Sequence, residues 1–322
     1  MNREFSHKRK LNRMLKIRII VSLVSFLFLY GCDYDDLNQS GYRGSRELNI
    51  YLVDGKQIVR RYGDVDPDTL KLEKTPWISQ HEISFYDWSA HTFLLKTDKP
   101  REKFSGRYFV VKSNEEPLFV GYFFPSFMSS FPSYPSVIAT DYYFYPLDVV
   151  SIDGFGGFFN EKMDENIQFK KALIQADLFR EGIQVELTGL RKKNASTVEY
   201  SYMVTNLDED FIYVLDPVKM GANRFHYYTN GVSFVKGSTY YFSENLENTP
   251  SENIPENWYF RLSPGKSISR TVELRGFRSL PTGNFTASFT FPGASHLKSG
   301  EWKMRDGRIW VGSFYVKKEF DF

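Results

Sequence analysis

The sequence predicts a mainly β protein with two folded domains, an α+β domain followed by an all-β sandwich. Three observations predict this arrangement. Short runs of alternating apolar residues occur along most of the chain, one segment has helical periodicity, and the runs after that segment continue almost to the last residue. Aromatic residues make up 17% of the 322 residues, and each of these runs contains at least one. Alternation at a period of two gives a strand one buried face and one solvated face.

The alternating runs are the candidate strands, and clusters of turn-forming residues such as SNEEP, TNLDED and SPGK lie between them. The runs include residues 47–53, 92–96, 107–112, 118–124, 198–205, 239–243, 285–291 and 309–316. Because such runs occur before and after the helical segment, we expect each domain to contain a sheet.

The helical segment, residues 164–182, departs from the strand pattern. Its apolar residues recur at a period near 3.6; they are Ile167, Phe169, Leu173, Ile174, Ala176 and Leu178. Asp164 and Glu165 suit the positive N-terminal end of a helix, and Gly182 suits the C′ position after its end. We therefore expect a helix over residues 164–180.

This helix marks the boundary between the domains. We expect an α+β domain over residues 46–181, with its strands packed on the helix, and an all-β sandwich over residues 183–322. Residues 262–291 place a Pro-Gly turn before one strand and a Leu-Pro-Thr-Gly turn before the next. This stretch resembles the final strands of bacterial immunoglobulin-like modules. The resemblance implies that the second domain is an immunoglobulin-like β-sandwich, and it implies no activity.

The start of the chain has the layout of a signal peptide. Residues 8–18 are strongly basic, and the twelve residues from Ile19 to Tyr30 carry no charge. Twelve residues are fewer than the about 20 that cross a membrane, but they suit the apolar core of a signal peptide. The sequence Leu-Tyr-Gly-Cys that ends at Cys32 resembles the lipobox of bacterial lipoproteins.

The lipobox resemblance implies that residues 1–31 are a lipoprotein signal peptide, with either Met1 or Met14 as its start. It also implies that Cys32, the only cysteine of the chain, carries a diacylglycerol and an N-acyl chain. We expect residues 32–45 to be this lipidated cysteine and a flexible tether. The acidic start of the tether resembles that of surface-exported lipoproteins. We therefore expect a bacterial lipoprotein anchored in the outer membrane, on its periplasmic or cell-surface face.

Removal of the signal peptide changes the charge of the protein. The whole chain has 41 Lys and Arg residues and 39 Asp and Glu residues. Residues 1–31 hold seven of the basic residues and one of the acidic residues. The remaining chain has 34 basic and 38 acidic residues, a net charge of −4. A mildly acidic protein gives no electrostatic reason to expect nucleic acid as a partner. With its only cysteine lipidated, the chain has no thiol for a disulfide, for catalysis or for a metal.

The sequence contains no recognisable metal or cofactor motif. His81-Glu82 begins like the motif of zinc proteases, but that motif requires a second histidine at position 85, which is Phe. The histidines after the signal peptide are scattered; they are His81, His91, His226 and His296. We therefore expect no metal, no cofactor and no catalytic residue.

One short run could align an acid, a hydroxyl and an imidazole, because Asp87, Ser89 and His91 alternate along it. If the run is one strand, neighbours on the same face are about 6.5–7 Å apart, too far for a hydrogen-bonded triad. The neighbouring Tyr86 and Trp88 are interpreted as core residues with a polar tip.

A second cluster, residues 122–146, is dense in aromatic residues, prolines and serines. Its prolines prevent a regular central strand throughout. Exposed aromatic rings beside hydroxyls suit stacking on sugars or docking on a protein, although the same rings could instead fold a long loop onto the domain. The candidate binding residues are Phe127, Phe131 and Tyr134.

Together these features favour a non-enzymatic binding or scaffold module. Its expected partners are the membrane, through the lipid on Cys32, and an envelope protein or glycan. Two alternatives stay open. One is an envelope enzyme whose site is assembled from residues far apart in sequence, and the other is a protease-inhibitor-like or chaperone-like module that uses the loops of the sandwich.

Overall fold

Strands dominate the computed structural model, as the alternating runs predict. The structure describes residues 46–55, 65–125, 135–139, 145–152, 163–226, 231–244 and 254–321. The first half, residues 46–181, contains β1 (Leu48–Leu52), β2 (Ile83–Asp87), β3 (Thr92–Leu95), β4 (Tyr108–Ser113), β5 (Glu116–Phe124), β6 (Ser136–Ile138), β7 (Val149–Ser151) and β8 (Phe179–Arg180). The second half, residues 183–321, contains β9 (Ile183–Asn194), β10 (Thr197–Asn206), β11 (Phe211–Leu215), β12 (Val232–Lys236), β13 (Thr239–Tyr241), β14 (Tyr259–Leu262), β15 (Ser267–Arg275), β16 (Asn284–Pro292), β17 (Lys303–Met304), β18 (Gly307–Ile309) and β19 (Ser313–Asp321).

The first half builds two four-stranded sheets around one helix. The strand orders are β1-β4-β5-β6 and β7-β3-β2-β8. The helix, α1 (Ile167–Gln175), buries Phe169, Ala172 and Leu173. Their cluster includes Tyr86 and Trp88, which confirms the interpretation of these two rings as core residues. Short 3₁₀ helices occupy Pro67–Thr69, Gln80–Glu82 and Glu102–Phe104.

Helix α1 is shorter than the predicted interval of residues 164–180. Asn166 caps its start, because the Asn166 side chain accepts a hydrogen bond from the Phe169 N–H at 3.0 Å. Its end is closed by Asp177, which takes a positive φ of 58°. The N–H groups of Asp177 and Leu178 bond back to Ile174 and Leu173, a Schellman motif. The prediction that Gly182 occupies the C′ position is therefore wrong, and Asp177 holds it.

The second half contains a three-stranded sheet and two four-stranded sheets. Their orders are β15-β10-β9, β14-β11-β18-β17 and β13-β12-β16-β19. Most neighbours are antiparallel, and β11 with β18 is a parallel pair. Two helices of one turn each, α2 (Pro217–Met220) and α3 (Ala222–Phe225), follow β11, and a 3₁₀ helix at Glu256–Trp258 precedes β14. Alternating residues of β10 and β16 are buried, which is the pattern the sequence predicts for them.

One predicted strand, residues 309–316, is two strands in the structure. The chain leaves β18 after Ile309, where the Trp310 N–H bonds to the Tyr213 carbonyl at 2.9 Å. Gly312 then takes a φ of 132° and β19 begins at Ser313 in a different sheet. An apolar alternating run looks the same whether it stays in one sheet or crosses between two.

From Gly44 to Phe322 the chain forms one compact unit. The larger core cluster of the second half also includes Ala90, Leu94 and Val149 from the first half. Apolar contact is therefore continuous between the two halves. Within the described ranges, no helix has the length and apolar character needed to cross a membrane.

Candidate functional site

The run that contains Asp87, Ser89 and His91 is a turn between two strands. Strand β2 ends at Asp87 and β3 begins at Thr92, so the expectation of a single strand is wrong. Because the chain reverses here, the Ser89 hydroxyl donates to Asp87 Oδ1 at 2.7 Å. The His91 ring instead contacts Tyr86 and Asp164. The His91 imidazole and the Ser89 hydroxyl therefore have different partners, and the three side chains do not form a hydrogen-bonded triad.

Asp87 belongs to a buried cluster of charges. Arg308 lies between two carboxylates: its Nη2 donates to Asp208 Oδ2 at 2.7 Å, and its Nη1 is 2.5 Å from Asp87 Oδ2. The contact with Asp87 is an ion pair whose angles fall outside hydrogen-bond geometry. All three side chains are buried, with relative exposures of 0% for Asp87, 6% for Asp208 and 4% for Arg308. Burial alone would lower the pKa of Arg308, but the two carboxylates outweigh burial and raise it.

Backbone N–H groups donate hydrogen bonds to the other oxygen, Oδ1, of each carboxylate. Asp87 Oδ1 also accepts the Ala90 N–H at 3.1 Å, and Asp208 Oδ1 accepts the Gly182 N–H at 2.8 Å. Gly182 is required here, because it has a φ of 83° and a Cβ at this position would lie 2.2 Å from Ser89 Oγ. Gly182 thus allows the link between the two halves to approach the turn closely.

Ser89 joins this cluster to the second half. Its hydroxyl accepts the Ile183 N–H and the Trp310 indole N–H, each at 3.0 Å, while it donates to Asp87. We call Asp87, Ser89, Asp208, Arg308 and Trp310 the interlock. Asp87 and Ser89 lie in the first half, and the other three residues lie in the second half. Since buried polar networks of this kind fix one arrangement of the chain, the interlock is suited to holding the halves together.

A second polar contact crosses between the halves. Asp148, buried just before β7, accepts hydrogen bonds on Oδ2 from the Trp302 indole at 2.7 Å and from the Gly300 N–H at 2.8 Å. The Trp302 ring also packs edge-on against Phe85, with 5.7 Å between ring centroids. Two tryptophans of the second half thus donate to side chains of the first half.

His91 has its own buried surroundings. It takes a positive φ of 46°, which is uncommon for a residue other than glycine. Its Nδ1 is 3.1 Å from the Tyr86 hydroxyl and its Nε2 is 3.3 Å from Asp164 Oδ1. Its carbonyl accepts the Ile152 N–H at 2.9 Å. These contacts connect the β2–β3 turn to the start of α1 and to the end of β7.

His226 lies in the core of the second half. Its Nε2 is hydrogen-bonded to the Tyr200 hydroxyl, and Phe225 and Phe289 pack against its ring. Burial lowers the pKa of His226 from 6.5 to about 3 and raises the pKa of Tyr200 well above its ordinary value. This histidine therefore remains neutral at physiological pH.

The residues predicted as sites are not among those that the structure describes. Cys32, the signal peptide and the tether precede residue 46, and Phe127, Phe131 and Tyr134 lie in the gap at residues 126–134. Within the described ranges no group of three or more His, Cys, Asp or Glu residues could hold a metal ion.

The sequence reading missed Asp208, Arg308 and Trp310. Arg308 and Asp208 are 100 residues apart, and Trp310 and Ser89 are 221 residues apart. No local pattern announces contacts over such separations. One feature of the sequence could have indicated a buried charge: Arg308 directly precedes the apolar strand run of residues 309–316. Comparison with known proteins adds no relative, because no protein family, curated protein or solved structure matches this chain.

Proposed function

We propose that this protein is a membrane-anchored envelope lipoprotein whose folded part is a non-enzymatic binding or scaffold module. The observation that carries the proposal is the order of segments at the start of the chain: a basic region, a short apolar run and a lipobox-like sequence that ends at Cys32. A chain with two acyl groups stays on a membrane stably, whereas one acyl group gives only marginal binding. The lipid on Cys32 would therefore hold the folded part at the membrane.

The tether limits how far the folded part lies from its anchor. Fifteen residues lie between Cys32 and the start of β1 at Leu48, which makes sixteen steps along the chain. A chain of that length spans at most about 55 Å even when fully extended. The compact unit that begins at Gly44 supports a scaffold function, because its two halves share buried polar and apolar contacts.

The proposal includes the finer architecture expected from the sequence. The first half would be the α+β domain, and two of its sheets with α1 support this assignment. The second half would be an immunoglobulin-like β-sandwich, supported by antiparallel sheets that contribute to one core. The partner would be an envelope protein or a glycan that stacks on Phe127, Phe131 and Tyr134.

Cys32→Ala is expected to abolish both lipid attachment and signal cleavage. Wild-type protein expressed in a bacterial host should incorporate labelled palmitate, and mass spectrometry should find an N-terminal peptide that begins at a modified Cys32. The variant should take up no label and keep its signal peptide. Ser40→Ala, a small change in the same tether, should behave as the wild type. A wild-type protein that takes up no label and begins at another residue would contradict the proposal.

A further inference from the structure

Positive charge concentrates at one end of the three-stranded sheet β15-β10-β9. Strand β9 ends in Arg191, Lys192 and Lys193, and Arg275 ends the neighbouring strand β15. Two carboxylates, Glu199 and Glu273, lie among them. We call these six residues the basic cluster. It holds four cations and two anions, a net charge of +2, on a protein whose expected mature net charge is −4.

The pairing of the strands explains part of this cluster. Glu199 and Glu273 are directly opposite each other on β10 and β15, where two like charges repel. Lys193 lies between them, with its Nζ 2.5 Å from Glu273 and 3.9 Å from Glu199. Its hydrogen bond, together with one from Arg275, lowers the pKa of Glu273. One cation therefore bridges the two glutamates, and the four cations together exceed the two carboxylates by two charges.

The excess cations are accessible to a large partner. The side chains of Arg191 and Arg275 are 68% and 75% exposed, although each contacts one glutamate. Lys192 is exposed, and its side chain makes no hydrogen bond or ion pair with any of the described residues. Residues 191–196 are all exposed, so the tip of the β9–β10 hairpin extends beyond the core. Each guanidinium keeps N–H donors that its glutamate does not occupy.

We propose that the basic cluster docks on anionic phospholipid headgroups, which carry a phosphate without a compensating positive charge, in the membrane that holds Cys32. Guanidinium groups match phosphate oxygens with paired, charge-assisted hydrogen bonds, and clustered cations are attracted to anionic membrane surfaces. The inference rests on the proposed lipid anchor. An anchored protein meets its own membrane at high effective concentration, so a weak electrostatic contact suffices to orient it. The contact would fix which face of the second half points away from the membrane.

The test uses lipid-free protein, so that the anchor does not mask the contact. The chain from residue 32 onward, with Cys32→Ser, is sedimented with two kinds of vesicle. One kind contains the anionic lipid phosphatidylglycerol, and the control vesicles contain only phosphatidylcholine, which has no net charge. We expect binding to the anionic vesicles at about 0.05 M salt and loss of binding at about 0.5 M salt, where charges are screened over a few ångströms. The double variant Arg191→Gln/Lys192→Gln should bind about 25-fold more weakly, roughly fivefold for each cation. Lys193 is kept, because its removal would leave the opposed glutamates unbridged.

A matched control removes the same charge elsewhere. Lys74→Gln/Lys298→Gln changes two exposed lysines and should bind as the parent does. Equal losses in both double variants would assign binding to net charge alone and overturn the proposal, as would binding that salt or the hairpin substitutions leave unchanged. Binding to a soluble anionic polysaccharide but not to vesicles would assign the cluster to a glycan instead. Palmitate labelling of Cys32 is independent of these results, so failure of the docking and failure of the anchor are distinguishable.

Discussion

Replacing Arg308 by Met is expected to lower the free energy of unfolding by about 3–5 kcal/mol, because the change leaves two buried carboxylates without their shared cation. Asp87 and Asp208 are almost inaccessible to water, so water cannot replace the guanidinium. Met keeps most of the volume and removes only the charge and its hydrogen bonds. Urea unfolding followed by circular dichroism measures the change.

Two further variants isolate the charge effect. Arg305→Met changes an exposed arginine three residues away and should alter the free energy of unfolding by no more than about 0.5 kcal/mol. The triple variant Asp87→Asn/Asp208→Asn/Arg308→Met should recover about half or more of the lost stability, because a neutral buried cluster costs less than unpaired charges. The asparagine at position 87 can still accept from Ser89 and Ala90. If Arg308→Met and Arg305→Met have equal effects, the interlock does not stabilise the fold.

The stability of the folded protein is expected to fall steeply in acid because of His226. The pKa of His226 is about 3 in the folded protein, against an ordinary value of 6.5. Between these pH values the unfolded chain binds a proton that the folded chain does not bind. Stability is therefore fully present above pH 6.5 and decreases as the pH falls toward 3, by about 1.4 kcal/mol per pH unit.

The double variant Tyr200→Phe/His226→Leu separates His226 from the carboxylates that also titrate in acid. It removes both partners of the buried hydrogen bond, so neither is left unpaired. Urea midpoints measured from pH 7 down to about pH 4 should fall less steeply for the variant than for the wild type. Parallel pH profiles for the two proteins would show that folding does not lower the pKa of His226.

The alternating runs overlap nine of the 19 described strands, and they do not predict the links between strands. Alternation located β10 and β16, because each buries one face of a sheet. It also located β4 and β5, although consecutive residues of these two strands are buried and their two faces enter different core clusters. It failed at residues 309–316, where one run crosses between two sheets. It also failed at Asp87–His91, where the turn contains neither glycine nor proline and the positive φ falls on His91. Glycine and proline are the residues from which a turn is ordinarily predicted.

The helix and the interlock show a second reason why the structure differs from the sequence-based prediction. A helical period predicts that α1 exists, but its end depends on a single residue, Asp177, whose positive φ is not apparent in the sequence. Arg308 was not recognised because its two carboxylates are distant in the chain. Gly182 was predicted to end the helix, but its function is different. The absence of a Cβ at Gly182 lets the backbone approach the Ser89 side chain closely.

We expect the interlock to join the two halves into one cooperative body. Pulse-labelling hydrogen exchange tests it most directly, with peptides from both halves followed by mass spectrometry across the urea transition. If the claim holds, peptides from residues 46–181 and from residues 183–321 lose protection together, as one pair of folded and unfolded isotope populations. Peptides of one half that exchange fully while those of the other half stay protected would contradict it.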